Sequence, residues 1–310
     1  MDFQNIVLLL VAVVNFLLGA VIFLRGRKTS VTISYATFVF FVAGWSFGLA
    51  MFRASESFAI AEWWARFYYL DAALLVPSFL LFSFVFPTRK NEMPFWTRVA
   101  IFIPAILLGL ALFFVKDFLI VDLVQKDWGK EVTLNLWHYH FYGAYFIIYT
   151  CWAFWNLFKS YEKTAGVIRT QLRYVMIGTA IAFFFGMIFN LILPWLGNYR
   201  YIWVGPDFTP VKIFAISYAI VKYRLMDIRL VIRRSLIYFI LVLFVTASYS
   251  LLTFLIAQYF GGSLGVNSFL VTLIVSIVIV LTLDPLKQFL GEITDRIFYK
   301  GQIDYQEILR

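Results

Sequence analysis

The chain has 310 residues, 63% of them hydrophobic and only 14% charged, with a mean hydropathy of +0.85. A soluble domain is roughly half apolar and a quarter charged, so the composition indicates an integral membrane protein. The apolar runs are long and continuous, which selects helices over the alternating ten-residue segments of a barrel. A net charge of +9 and a pI near 9.5 would suit nucleic acid, but the cations sit in short clusters between apolar runs. That pattern reads as topology and anionic headgroups, with no nucleic-acid partner expected. The single cysteine, Cys151, excludes an internal disulfide framework and a cysteine metal cluster.

The first apolar run, residues 6–24, follows Asp2 rather than a basic start and is too long for a signal peptide. It is expected to remain as a membrane helix. Eight further spans are predicted near 31–52, 61–86, 99–115, 141–158, 172–196, 208–221, 236–259 and 269–283. The seventh is short and is expected to begin earlier, near 201–204. With nine spans and the N-terminus outside, nineteen Lys and Arg fall inside and six lie at or near the outer face. The orientation that follows is N-terminus out and C-terminus in.

Between the fourth and fifth spans, VDLV and EVTLNLW flank a polar turn at Asp127-Trp128-Gly129. A small β-hairpin is expected there, too short to be a sensor domain. Trp63, Trp64, Phe67, Tyr68 and Tyr69 at the third span read as interfacial anchors, as do Trp137, Tyr139 and Tyr142 at the fifth. Gly44-Trp-Ser-Phe-Gly48 is a GxxxG that admits a close helix, more readily inside the bundle than between subunits. Asn15 and Asn190 are expected to hydrogen-bond between helices.

The chain turns on a joint at 218–234. It carries Lys222, Arg224, Arg229, Arg233 and Arg234 against one acid, Asp227. The seven-helix module (1–225) is expected to end here. A two-helix hairpin (226–283) and a cytoplasmic linker (284–310) should follow. In the linker Leu286, Phe289, Leu290, Ile293 and Ile297 repeat at helical spacing. Such a stripe fits either a partner helix, such as that of a second subunit, or the inner membrane surface.

Catalytic signals are lacking: there is no phosphate-binding glycine loop and no nucleophile elbow. His138 and His140, two apart in an expected strand, would need a third ligand to hold a metal. They read as an interfacial polar pair, and no cofactor is expected. Ionisable groups at membrane depth carry more interest. Arg66 and Asp71, with Glu62 a turn earlier, lie near the start of the third span, and Asp207 and Lys212 straddle the outer end of the seventh. They would form a polar ligand site if Asp71 and Lys212 approach each other, or would snorkel and pair locally.

YAIVKYRLMDIRLVIRRSLIYF, WWARFYYLDAALLVPSFLLFSFVFP and DPLKQFLGEITDRIFYKGQIDYQEILR resemble the N-terminal seven-helix sensor region of bacterial histidine kinases. The resemblance implies a multi-pass protein of the bacterial cytoplasmic membrane, in contact with lipid and usually a homodimer. It also implies that a stimulus passes through the last helices to a cytoplasmic kinase domain, in cis or in trans. No phosphoacceptor helix or ATP-binding glycine box stands in these 310 residues, so the chain itself is expected not to be an enzyme. A transporter or channel would instead show paired halves with Gly- or Pro-broken helices, and a retinal receptor would use Lys212 as its Schiff-base lysine.

Overall fold

The computed structural model describes residues 3–25, 28–87, 94–223, and positions 285, 288, 289 and 292. Two compact units divide the chain at Arg229/Leu230. In the first, α1 (Phe3–Arg25), α2 (Ser30–Ala54), α3 (Phe58–Val85) and α4 (Phe95–Phe114) precede a hairpin, β1 (Ile120–Lys126) and β2 (Gly129–Leu134). Then come α5 (Leu136–Glu162) and α6 (Gly166–Met187), which runs through a π-helical turn (Ile188–Ile192) into α7 (Leu193–Trp195). Two last helices are α8 (Val204–Asp207) and α9 (Thr209–Tyr223). In the second unit Phe289 is helical and exposed. The expected hairpin 236–283 lies outside the described residues, as do Arg224, Asp227, Arg229, Arg233, Arg234, Leu286, Leu290, Ile293 and Ile297.

Apart from its one hairpin the described fold is helical. Among the described residues five helices are long and apolar enough to cross a membrane: α1, α2, α3, α4 and the rod Gly166–Trp195. At 28 residues, α3 reaches about 42 Å at 1.5 Å per residue, more than the ~30 Å hydrocarbon core. The 27-residue α5 is only one residue shorter, but its Trp, Tyr, His and Asn residues lower its hydropathy. Burial ranks the helices: 72% of the apolar window of α3 is inside the protein against 22% for α4, so α3 is central and α4 faces outward. A helix begins at Val204, where the seventh span is expected to start, but α8 ends at Asp207 and α9 starts afresh at Thr209.

Helix contacts are made where side chains are small, because lipid offers no hydrophobic drive for helices to associate. The GxxxG of α2 packs on α3. A Cβ on Gly44 would overlap the Asp71 carboxylate, and one on Gly48 would lie 2.7 Å from the Phe67 ring. Asn15 donates to Thr209 Oγ1 at 3.0 Å, tying α1 to α9.

The hairpin forms as the sequence predicts, antiparallel, with Lys126 opposite Gly129 and Gly129 at φ +133°. Its apolar side is buried at Ile120 and Val132. Lys130 Nζ donates to the Arg53 carbonyl at 3.2 Å, a cation at the C-terminal turn of α2. Burial and the neighbouring Arg53 guanidinium push the Lys130 ammonium below its ordinary range. Arg53 in turn donates to Asn5 Oδ1 at 3.0 Å and to Gln4, so hairpin, α2 and α1 form one corner.

Prolines shape the interior. Pro77 has no N–H to give the Ala73 carbonyl four residues before it, and Pro194 leaves the Asn190 carbonyl in the same position. In a membrane such groups must find a partner inside the protein. A stripe of α5 tyrosines provides it. Tyr145 donates to Ala73 O at 2.8 Å, and Tyr139 to Leu191 O at 2.9 Å with Asn190 O at 3.5 Å. Tyr142 reaches Tyr69 O at 2.9 Å, and Tyr149 reaches Ile101 O at 3.2 Å beside Pro104 in α4. Tyr145→Phe should therefore cost about 0.5–2 kcal/mol, an interhelical bond in lipid plus an orphaned carbonyl. In a Pro77→Ala background, where the restored backbone N–H serves the Ala73 carbonyl, the same change should cost clearly less. Denaturant unfolding in micelles measures both, and equal losses would refute the link.

Candidate ligand cavity

The elements converge on one interior space. Phe38 and Trp45 of α2, Tyr68 and Tyr69 of α3, Tyr142 of α5, Phe183 of α6, Asn190 of the π-helical turn, and Thr209 and Lys212 of α9 all border it. Its volume is about 50 Å³. At ~10–15 Å³ per water centre, that admits a few waters or one small organic group. The π-helical turn brings Asn190 to this wall, a placement that π-bulges commonly serve. Asn190 Nδ2 donates to Ile202 O at 2.7 Å, while its Oδ1 makes no hydrogen bond and lies where a Cβ on Gly205 would sit.

Lys212 is the cation of the cavity. It is 1% exposed, and its Nζ sits 4.3 Å from the centroid of Phe38. The approach of α6 and α9 holds it there: a Cβ on Gly178 would stand 2.5 Å from Ala215 Cβ and 3.3 Å from Lys212 Cα. The buried Tyr68 hydroxyl has no partner of good geometry among the described residues. Tyr69 faces Tyr199, hydroxyl to hydroxyl, at 3.5 Å.

The other expected site residues lie apart from this space. Asp71 is buried on the α2–α3 seam against Gly44, with Oδ2 unpartnered among the described residues. It forms no ion pair with Lys212. Arg66 takes the nearer acid, Glu62, at 2.5 Å and also donates to Leu112 O in the last turn of α4 at 2.5 Å. It clamps α3 to α4. Asp207 closes α8 with Oδ1 likewise unpartnered, outside the cavity wall. Lys222 belongs to the last turn of α9.

The histidines stand in α5, not in a strand. Two apart on a helix they point to different sides. His138 packs on Phe118 at 4.6 Å and His140 on Trp195 at 5.0 Å. Among the described residues no group of three metal-ligating side chains forms. The aromatic anchors divide. Trp63 and Trp137 are exposed, whereas Tyr68, Tyr69, Tyr139 and Tyr142 are buried. Their hydroxyls find interior partners or border the cavity, which counting aromatic residues along a span does not reveal. A helical stripe of tyrosines at 139, 142, 145 and 149 is the signal that points inward.

Gly178→Ala tests the α6–α9 contact that positions Lys212. Helix propensity alone favours alanine by up to ~1 kcal/mol. The overlap with Ala215 should reverse the sign and destabilise by about 1–3 kcal/mol. Adding Ala215→Gly should restore most of the loss in the unfolding midpoint, and a lack of rescue would contradict the contact.

Residues 7–231 match the family described as the N-terminal 7TM region of histidine kinase. The match ends inside the basic joint 218–234. No curated protein and no solved structure matches the chain. Helices of membrane-spanning length and a match covering well over half the chain agree: this is a multi-pass membrane protein that belongs to the family of N-terminal seven-transmembrane sensor regions of histidine kinases.

Proposed function

We propose that the chain is the sensing and signal-transducing module of a histidine-kinase-type receptor in the bacterial cytoplasmic membrane, with its N-terminus outside. The observation that carries this reading is the family match over residues 7–231. A stimulus arriving from outside or within the membrane shifts the helix bundle between two packings. The basic joint, from Lys222 through Arg224, Asp227, Arg229, Arg233 and Arg234, sits at the inner headgroups and passes that shift on. A hairpin at 226–283 and the stripe Leu286, Phe289, Leu290, Ile293 and Ile297 of a homodimer carry it to a cytoplasmic kinase domain, in cis or in trans. Phosphoryl transfer belongs to that domain and not to these 310 residues.

Topology is tested with Cys151 replaced by serine and single cysteines placed at Trp128 and Thr164. A membrane-impermeant maleimide should label position 128 in intact cells, and position 164 only in inverted vesicles. The opposite pattern would reverse the orientation. Coupling is tested by Ile293→Asp with Ile297→Asp. Stimulus-dependent phosphorylation in native membranes should fall to the unstimulated level while membrane insertion is unchanged. Full output from this variant would rule out the exit stripe as the route.

A further inference from the structure

We propose that the cavity between α2, α3, α5, α6 and α9 binds a small carboxylate, with Lys212 as its counter-ion. This deepens the sensor reading, on which it rests, by giving the bundle a ligand class. Lys212 is buried, and among the described residues it makes no hydrogen bond or ion pair. Its Nζ stands over the Phe38 ring face at 4.3 Å. A cation–π contact recovers only part of what removing an ammonium from water costs. A buried cation is ordinarily paired, yet among the described residues no acid borders the space. Asp71 is committed to the seam at Gly44, and Asp207 lies outside the wall. The site therefore lacks one negative charge.

The rest of the wall specifies what brings it. Several donors border the space; the Lys212 ammonium is the charged one, and the buried Tyr68 hydroxyl stands with it, its ring against Tyr69. A carboxylate offers an oxygen to both, in charge-assisted bonds stronger than those of a neutral group. Phe38, Trp45 and Phe183 form the apolar remainder, which a bare halide would leave unfilled. A volume of about 50 Å³ limits the ligand to a few carbons. Close packing of Lys212 Cα on Gly178 keeps α9 from swinging the ammonium out to water.

The test uses the full chain in lipid nanodiscs and reads no kinase output, so the cavity can fail while the sensor reading stands. Acetate, propionate and butyrate are titrated against their neutral amides and against chloride at matched ionic strength. Thermal unfolding and tryptophan fluorescence are the readouts. At least one carboxylate should stabilise saturably, about tenfold more tightly than its amide, since one charge-assisted bond is worth about that factor. Lys212→Met should abolish the preference. Equal protection by amide and carboxylate, protection by chloride alone, or an undiminished response in Lys212→Met would each overturn the assignment. The amide comparison decides the matter even if that variant does not fold.

Discussion

Backbone satisfaction in a solvent without water is the constraint on which this bundle rests. A proline in a soluble helix releases a carbonyl that water can serve, whereas in hydrocarbon the carbonyl must be met by the protein. Here α5 meets it. Its tyrosines stand at intervals of three and four, and each reaches a different main-chain carbonyl on α3, α4 or the turn after α6. Asn156 continues the same face toward Ser83 at 3.3 Å. Tyr145 meets the carbonyl that Pro77 frees, and Tyr139 reaches the one that Pro194 frees. The least hydropathic of the long helices is thus the one that serves main-chain carbonyls of its neighbours.

The cavity also concentrates unsatisfied chemistry. Lys212 and the Asn190 side-chain Oδ1 border it without a hydrogen-bond partner among the described residues, while Asp71 and Asp207 hold unpartnered oxygens close to lining residues in sequence. A protein selected only for stability would neutralise such groups, since each costs free energy when buried. A receptor gains from them, because a ligand that satisfies them binds one packing better than another, and only such a difference shifts an equilibrium. The π-helical turn contributes in the same way, as it places Asn190 on the wall and relocates main-chain carbonyls that Tyr139 then holds.

Much of the frame is legible in the sequence for physical reasons. Span lengths follow from bilayer thickness, the hairpin from Asp127-Trp128-Gly129 between β-rich segments, and the α2–α3 approach from Gly44 and Gly48. Asn15 reads as an interhelical donor and is one. The site is legible only in part. Lys212 stands out for its depth, but its expected partner, Asp71, lies against Gly44, because one residue's step from the cavity-lining Ala72 turns a helical side chain by about 100° onto another face. Arg66 is drawn to Glu62 by i,i+4 geometry and to the end of α4, a contact across 46 residues that no local pattern carries. Buried tyrosines read as interfacial anchors because tyrosine suits both places, and only the neighbours decide between them.

The central claim is that the interior around Lys212 and Asn190 speaks to the kinase. Its most direct test is ATP-dependent phosphoryl incorporation in native membranes holding the chain with its kinase, compared between wild type and Asn190→Ala at equal amounts of inserted protein. The account predicts that basal incorporation moves several-fold in one direction, because on the proposed two-packing mechanism the loss of a cavity-wall group would bias the equilibrium by roughly 1 kcal/mol or more. Incorporation indistinguishable from wild type, with and without stimulus, would contradict it.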